Sequence, residues 1–138
     1  MEFITEARAK GAEVHEVTQL VISLLGLIIF PWEAGAARRI EALLLEDLEC
    51  QGWPSWSIEL DCGGGTSTLG TLLKHLRNAA AHQRIEFSSD SATMAEVRIT
   101  FRDALGRAAA INWQATIDAH DLKRFCDLFA GKLEMFVG

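Results

Sequence analysis

Leu69 to Phe87 reads LGTLLKHLRNAAAHQRIEF, and the way this stretch folds constrains everything around it. Leu69, Leu72, Leu73, Leu76 and Ala80 recur at helical spacing and define one apolar face. Lys74, Asn78 and His82 fall at i, i+4 and i+8 on another. The spacing predicts a helix with its polar chemistry near the C-terminal end, followed by a short extended piece from Arg84 to Phe87. Thr66 or Ser67, after the run Gly63-Gly64-Gly65, is the expected N-cap.

Within this stretch lies the hexapeptide Arg77-Asn78-Ala79-Ala80-Ala81-His82. Arg77 and His82 are five positions apart, about 140° around an ideal helix, so they do not share one tight stripe. Asn78 sits one turn from His82 and can hydrogen-bond the ring or a substrate held beside it. Arg77 carries five donors in a planar fork and can curl toward an anion near the imidazole. The three alanines leave room for a second backbone or a nucleic-acid strand.

These are the groups that cleave a phosphodiester without a metal. Histidine can take a proton from a ribose 2′-OH or return one to the leaving oxygen. A guanidinium neutralises charge developing on the phosphate oxygens. DNA lacks the 2′-OH, so the chemistry selects RNA. The same two side chains also suit plain solvated positions, since the macrodipole favours a histidine near a helix C-terminus. Spacing alone leaves both readings open.

Arg77-Asn78-Ala79-Ala80-Ala81-His82 resembles the R-x4-H motif of the HEPN superfamily, and polar Asn78 matches the residue that often follows the arginine there. LLGLIIFPWE, Leu24 to Glu33, is similar to the end of an apolar helix that precedes the motif helix in a prokaryotic subfamily. The element order extends the resemblance over nearly the whole chain. The fold it implies is mainly α, a bundle of four to five helices with a β-hairpin inserted between the motif helix and the C-terminal helix. The activity it implies is metal-independent RNA cleavage, ending in a 2′,3′-cyclic phosphate, by a toxin or anti-phage defence protein. Arg77 and His82 would be catalytic, Asn78 would support them, and two motifs would meet across a homodimer groove, with a cognate antitoxin as a further partner. The second reading is a catalytically inactive helical module that binds protein or RNA, a regulatory or antitoxin-like subunit.

Bulk properties narrow the choice. At 138 residues, 49% apolar and 23% charged, the chain can bury one core and is expected to form a single domain over 1–138. A net charge of −6 argues against a general nucleic-acid binder. The charge is uneven: residues 74–107 hold six Lys/Arg against four Asp/Glu, and only this part is net positive. Lys74, Arg84, Arg98 and Arg102, with Arg107, can line a route for RNA phosphates toward His82. Solvated arginines on a strand face explain the same positions. Cys50, Cys62 and Cys126 form no CxxC pair, and His15, His75 and His120 are scattered, so neither a disulfide framework, nor a metal site, nor any other cofactor is expected.

Residues 2–16, EFITEARAKGAEVHE, lack the basic start of a secretion signal, which points to a cytoplasmic protein. Val17 to Phe30 is apolar but too short to span a bilayer, so no membrane contact is expected. It reads as a buried helix, either wholly within the core or shared between the core and a partner subunit. A second helix is expected from about Ala36 to Cys50, with Ile40, Leu43, Leu44 and Leu48 apolar. Gln51 to Gly65 reads as a loop whose Trp53 and Trp56 either pin it to the core or stack on bases. Ala95 to Phe101 and Ala108 to Ile117 alternate as a hairpin, turning at Asp103-Ala104-Leu105-Gly106. Asp118 is expected to cap a last helix to about Phe136.

Overall fold

Two strands with alternating apolar residues form the centre of the molecule. In the computed structural model, which describes residues 19, 21–24, 26, 34–88, 97–104 and 110–137, they are β3 (Arg98–Ala104) and β4 (Ile111–Asp118). They pair antiparallel with Ile99 opposite Ile117 and Phe101 opposite Ala115. Every second side chain therefore faces one side, and Ile99, Phe101, Trp113, Ala115 and Ile117 are buried there. Arg98, Thr100, Arg102 and Gln114 alternate onto the other face. Asp103 and Ala104, expected in the hairpin turn, belong to β3; residues 105–109, with Arg107, lie outside the described residues.

The expected helical bundle with one inserted hairpin is not what forms. The hairpin is the middle of a four-stranded antiparallel sheet in the order β1-β4-β3-β2, where β1 is Ser57–Asp61 and β2 is Ile85–Phe87. The physical reason lies in the hairpin itself, since two strands alone are marginal in water and both of its edges carry unpaired backbone groups. β1 pairs with one edge, Ser57 opposite Thr116, and β2 with the other, Ile85 opposite Phe101. β1 lies within the loop expected from Gln51 to Gly65. It is only five residues long, and a bulge between Ile58 and Leu60 interrupts its alternation.

Helices cover the inner face. The helix expected over 36–50 is two, α1 (Ala34–Glu41) and α2 (Leu45–Cys50). Between them Leu44 is extended and bridges to Thr68, with the Leu45 N–H on the Ser67 carbonyl at 2.9 Å and the Leu69 N–H on the Leu43 carbonyl at 2.8 Å. Ile40 and Leu48 are buried as expected, whereas Leu44 is 44% exposed. The motif helix α3 (Leu69–Ala81) buries Leu69, Leu72, Leu73, Leu76 and Ala79 rather than Ala80. Each leucine contributes about 1.5–3 kcal/mol, so packing rather than propensity holds this 13-residue helix. The last helix, α4 (Ala119–Val137), starts at Asp118, whose Oδ1 accepts from the Asp121 N–H at 2.7 Å.

Trp53 and Trp56 pin their segment to the core. Both are buried, and both meet the Phe125 ring edge-on, at 5.6 and 5.4 Å. Of the N-terminal helical residues, Val21 and Leu24 are buried while Ile22 and Ser23 are exposed, so that segment is two-faced. Residues 27–33, which include the end of the LLGLIIFPWE stretch, lie outside the described residues.

Candidate functional site

α3 begins at Thr68, not at Thr66 or Ser67. The Thr68 hydroxyl accepts from the Thr71 N–H at 3.2 Å, satisfying one of the free donors of the first turn. Its far end is closed by a double backbone bond. The Gln83 N–H reaches the Ala80 carbonyl at 3.2 Å, and the Arg84 N–H reaches the Ala79 carbonyl at 2.8 Å. This geometry needs a left-handed residue after the cap, and Gln83 supplies it with φ 55°. His82 is the cap itself, exposed, with no hydrogen-bond partner for its ring among the described residues.

Arg77 leaves the helix toward α1. Its Nε donates to the Leu73 carbonyl at 3.4 Å, and its guanidinium stands 4.0 Å from the Glu41 carboxylate, both side chains being over 40% exposed. An ion pair so long and so wet contributes little, and the guanidinium is available to a stronger anion.

Asn78 turns the other way. Its amide donates to Asp103 Oδ2 at 3.2 Å, and His75 Nδ1 lies 2.7 Å from the same oxygen. Asp103 Oδ1 accepts from the Ala104 N–H at 2.7 Å. Asp103 is 4% exposed, the one buried acidic residue among those described. The His75 ring stacks on Trp113 at 4.5 Å and 8°. The Trp113 indole N–H donates to the Thr66 hydroxyl at 2.9 Å, and Thr66 in turn donates its N–H and hydroxyl to Asp61 Oδ2 at 2.7 and 2.8 Å. Burial pushes the Asp61 carboxyl up, but the two Thr66 bonds, the Gly65 N–H and nearby His75 outweigh it and hold the carboxyl below its ordinary value.

This polar line shows how α3 lies. Thr66 ties the loop before the helix to β1; His75 meets β4 and β3; Asn78 meets β3; the chain after His82 enters β2. The helix crosses the strands in the order of the sheet. Lys74 and His82 are exposed, Arg77 stands on the α1 side, and the His75–Asp103–Asn78 knot ties the helix to the sheet.

The other proposed phosphate contacts divide between two sides. Lys74 is exposed on α3, and Arg84 is half-buried just before β2. Arg98 and Arg102 are on the opposite, open face of the sheet. There Arg102 pairs with Glu86 at 2.8 Å and donates to Gln114 at 2.8 Å. Glu59 lies on that face too; hydrogen bonds from Thr116 and Gln114, aided by Arg98 and Arg102, hold its carboxyl below the ordinary value against a smaller opposing effect of burial.

Sequence reading missed His75 and Asp103. His75 is seven positions before His82, which places both on one line of an ideal helix about 20° apart. That spacing was the available signal, but nothing in the sequence showed which residue would face it, because Asp103 reads as a turn. A separate group, Asp118, His120 and Asp121, brings three potential ligand atoms within 4.8 Å of one another at the start of α4. Asp118 is already engaged as a helix cap. No helix among the described residues is long and apolar enough to cross a membrane.

Comparison with known proteins adds one finding. The family model HEPN pEK499 p136 matches residues 1–137. No curated protein and no solved structure matches the chain.

Proposed function

The chain belongs to the HEPN pEK499 p136 family, a HEPN-superfamily domain, and from that premise we propose that it is a metal-independent endoribonuclease acting as a homodimer. Membership supports a nuclease-type, RNA-related role at the level of the family. The finer reading is carried by one observation: Arg77 on the last turn of α3 and His82 at its cap are both exposed, and so accessible to a substrate.

In this reading His82 exchanges a proton with the ribose 2′-OH or the departing 5′-oxygen, and Arg77 exchanges its weak hold on Glu41 for the phosphate. The 2′-oxygen attacks phosphorus as the bond to the 5′-oxygen breaks, giving 2′,3′-cyclic phosphate and 5′-hydroxyl ends. Asn78 supports the motif from below through Asp103. Lys74 and Arg84 would guide RNA on the helix side, while Arg98 and Arg102 would contact RNA only where it rounds the sheet to its open face. A second copy brings a second Arg77 and His82 to the same groove. A toxin or defence role, kept in check by an antitoxin in the cytoplasm, fits such an activity.

The test is incubation of purified protein with a range of RNAs in EDTA, beside His82→Ala and Arg77→Ala. Cleavage that survives the chelator, leaves cyclic phosphate ends and falls by about a hundredfold or more in each variant is the expected result. No cleavage by the wild-type chain refutes the enzyme and leaves the binding module, which the net charge of −6 favours.

A further inference from the structure

We infer that Asp103 is the positioning residue of the motif helix: one buried carboxylate fixes the rotation of α3 about its own axis, and thereby the directions in which Arg77 and His82 leave it. The inference rests on the ribonuclease reading for its chemical meaning, but not for its geometry.

Asp103 Oδ2 takes both His75 Nδ1, at 2.7 Å, and Asn78 Nδ2, at 3.2 Å. These residues are three apart, so they project from one side of α3, about 60° from each other. Two attachments to one point from adjacent turns define a rotation as a single attachment cannot. The carboxylate cannot turn to follow a moving helix, because Oδ1 is held by the Ala104 N–H at 2.7 Å and the residue is 4% exposed. His75 cannot turn either, being stacked on Trp113, whose indole is anchored to Thr66. The register with β4 shifts between Asp103 and Ala104, where Asn112 of β4 is the extra residue, so the ladder is irregular where the carboxylate is presented.

Arg77 is about 100° around the helix from Asn78, and His82 about 40° from it in the other direction. A rotation of about 20° at a side-chain radius of about 6 Å shifts each group by about 2 Å. Misplacement of 1 Å can reduce a rate about a hundredfold. The knot therefore governs turnover without touching RNA.

Asn is the informative replacement. The carboxylate faces three donors, whereas an amide of the same shape must turn its own N–H toward at least one of them. Asp103→Asn is expected to lower kcat for RNA by about ten- to a hundredfold, with KM within about threefold, at a temperature where circular dichroism shows it folded. A purely structural role would lower the melting temperature without this split. Proton NMR of the imidazoles supplies a readout that needs no activity. The His82 resonance is expected to move in Asp103→Asn, while that of His120, exposed on α4, stays.

If the wild type cleaves RNA and folded Asp103→Asn has the same kcat and an unmoved His82 signal, the inference is overturned and the ribonuclease reading stands. If the wild type does not cleave, that reading falls and the NMR alone decides: an unmoved His82 overturns the inference, and a moved one supports it. Should Asp103→Asn fail to fold, His75→Gln, which removes the imidazole that makes the shorter tether and stacks on Trp113, is read by the same measures.

Discussion

Replacing Gly70 with alanine adds a single methyl group where α1 and α3 cross. A Cβ at Gly70 would stand 2.7 Å from Glu41 Cβ, 3.0 Å from its carbonyl oxygen and 3.2 Å from its Cα. None of these atoms can rotate aside, and carbon atoms prefer about 3.5–4.0 Å, so the two helices must separate by about 1 Å. Overpacking of this kind costs about 1–3 kcal/mol. Alanine returns up to about 1 kcal/mol through its better helix propensity, less in the first turn where Gly70 lies. The expected net loss is about 1–2 kcal/mol, or roughly 3–8 °C in Tm for a chain of this size. Gly131, inside α4, is the control, because a Cβ there meets nothing within 4 Å. Gly131→Ala should therefore stabilise by about 0.5–1 kcal/mol. Thermal unfolding followed by circular dichroism and calorimetry compares the two. A Gly70→Ala chain as stable as the wild type, or two variants that shift together, would refute the close approach on which the placement of α3 depends.

Three further outcomes follow from the described contacts. Gln83 holds a left-handed conformation that costs a residue with a side chain about 1 kcal/mol, so Gln83→Gly should raise the urea midpoint and Gln83→Val should lower it. The Asp61 carboxyl is held below its ordinary value, so its contribution is present above that value and lost as pH falls through the lowered one. Asp61→Asn should accordingly be less stable than the wild type at pH 7, with the gap closing in urea titrations repeated at about pH 3. Burial pushes the Cys126 thiol up to about 12, while Cys50 and Cys62 are exposed. Iodoacetamide on the native protein at pH 8 should label Cys50 and Cys62, and Cys126 only after unfolding; labelling of Cys126 in the folded state would contradict its burial.

Much of this arrangement is legible in particular residues. The leucines of α3, the alternation of β3 and β4, the Asp118 cap and the pinning tryptophans follow from periodicity and side-chain chemistry, and the R-x4-H string with its flanking elements pointed to the HEPN family that the family model shows. Two kinds of feature were not legible. The extended piece expected over Arg84 to Phe87 forms β2, but β1 is a short, bulged segment whose strand character comes from the open edge of a hairpin, so no local pattern announces it. The second is the Asp103 knot, which joins residues 25 and 28 positions apart. The break between α1 and α2 has the same origin, a backbone ladder with residues 67–69 that a run of leucines does not reveal.

The central position of β4 has a consequence for how the protein is made. Synthesis runs from the N-terminus, and β1 then waits for a partner more than fifty residues downstream, Ser57 for Thr116 and Ile58 for Ala115. Until β4 leaves the ribosome, β1 has no neighbour, Trp113 is absent from beneath His75, and the face of α3 that meets β4 is uncovered. Pairing at such separation is slow, because loop closure comes before any contact rewards it. A nascent chain thus carries the R-x4-H helix without the strand it packs against, and acquires that support only once residues 111–118 have been translated.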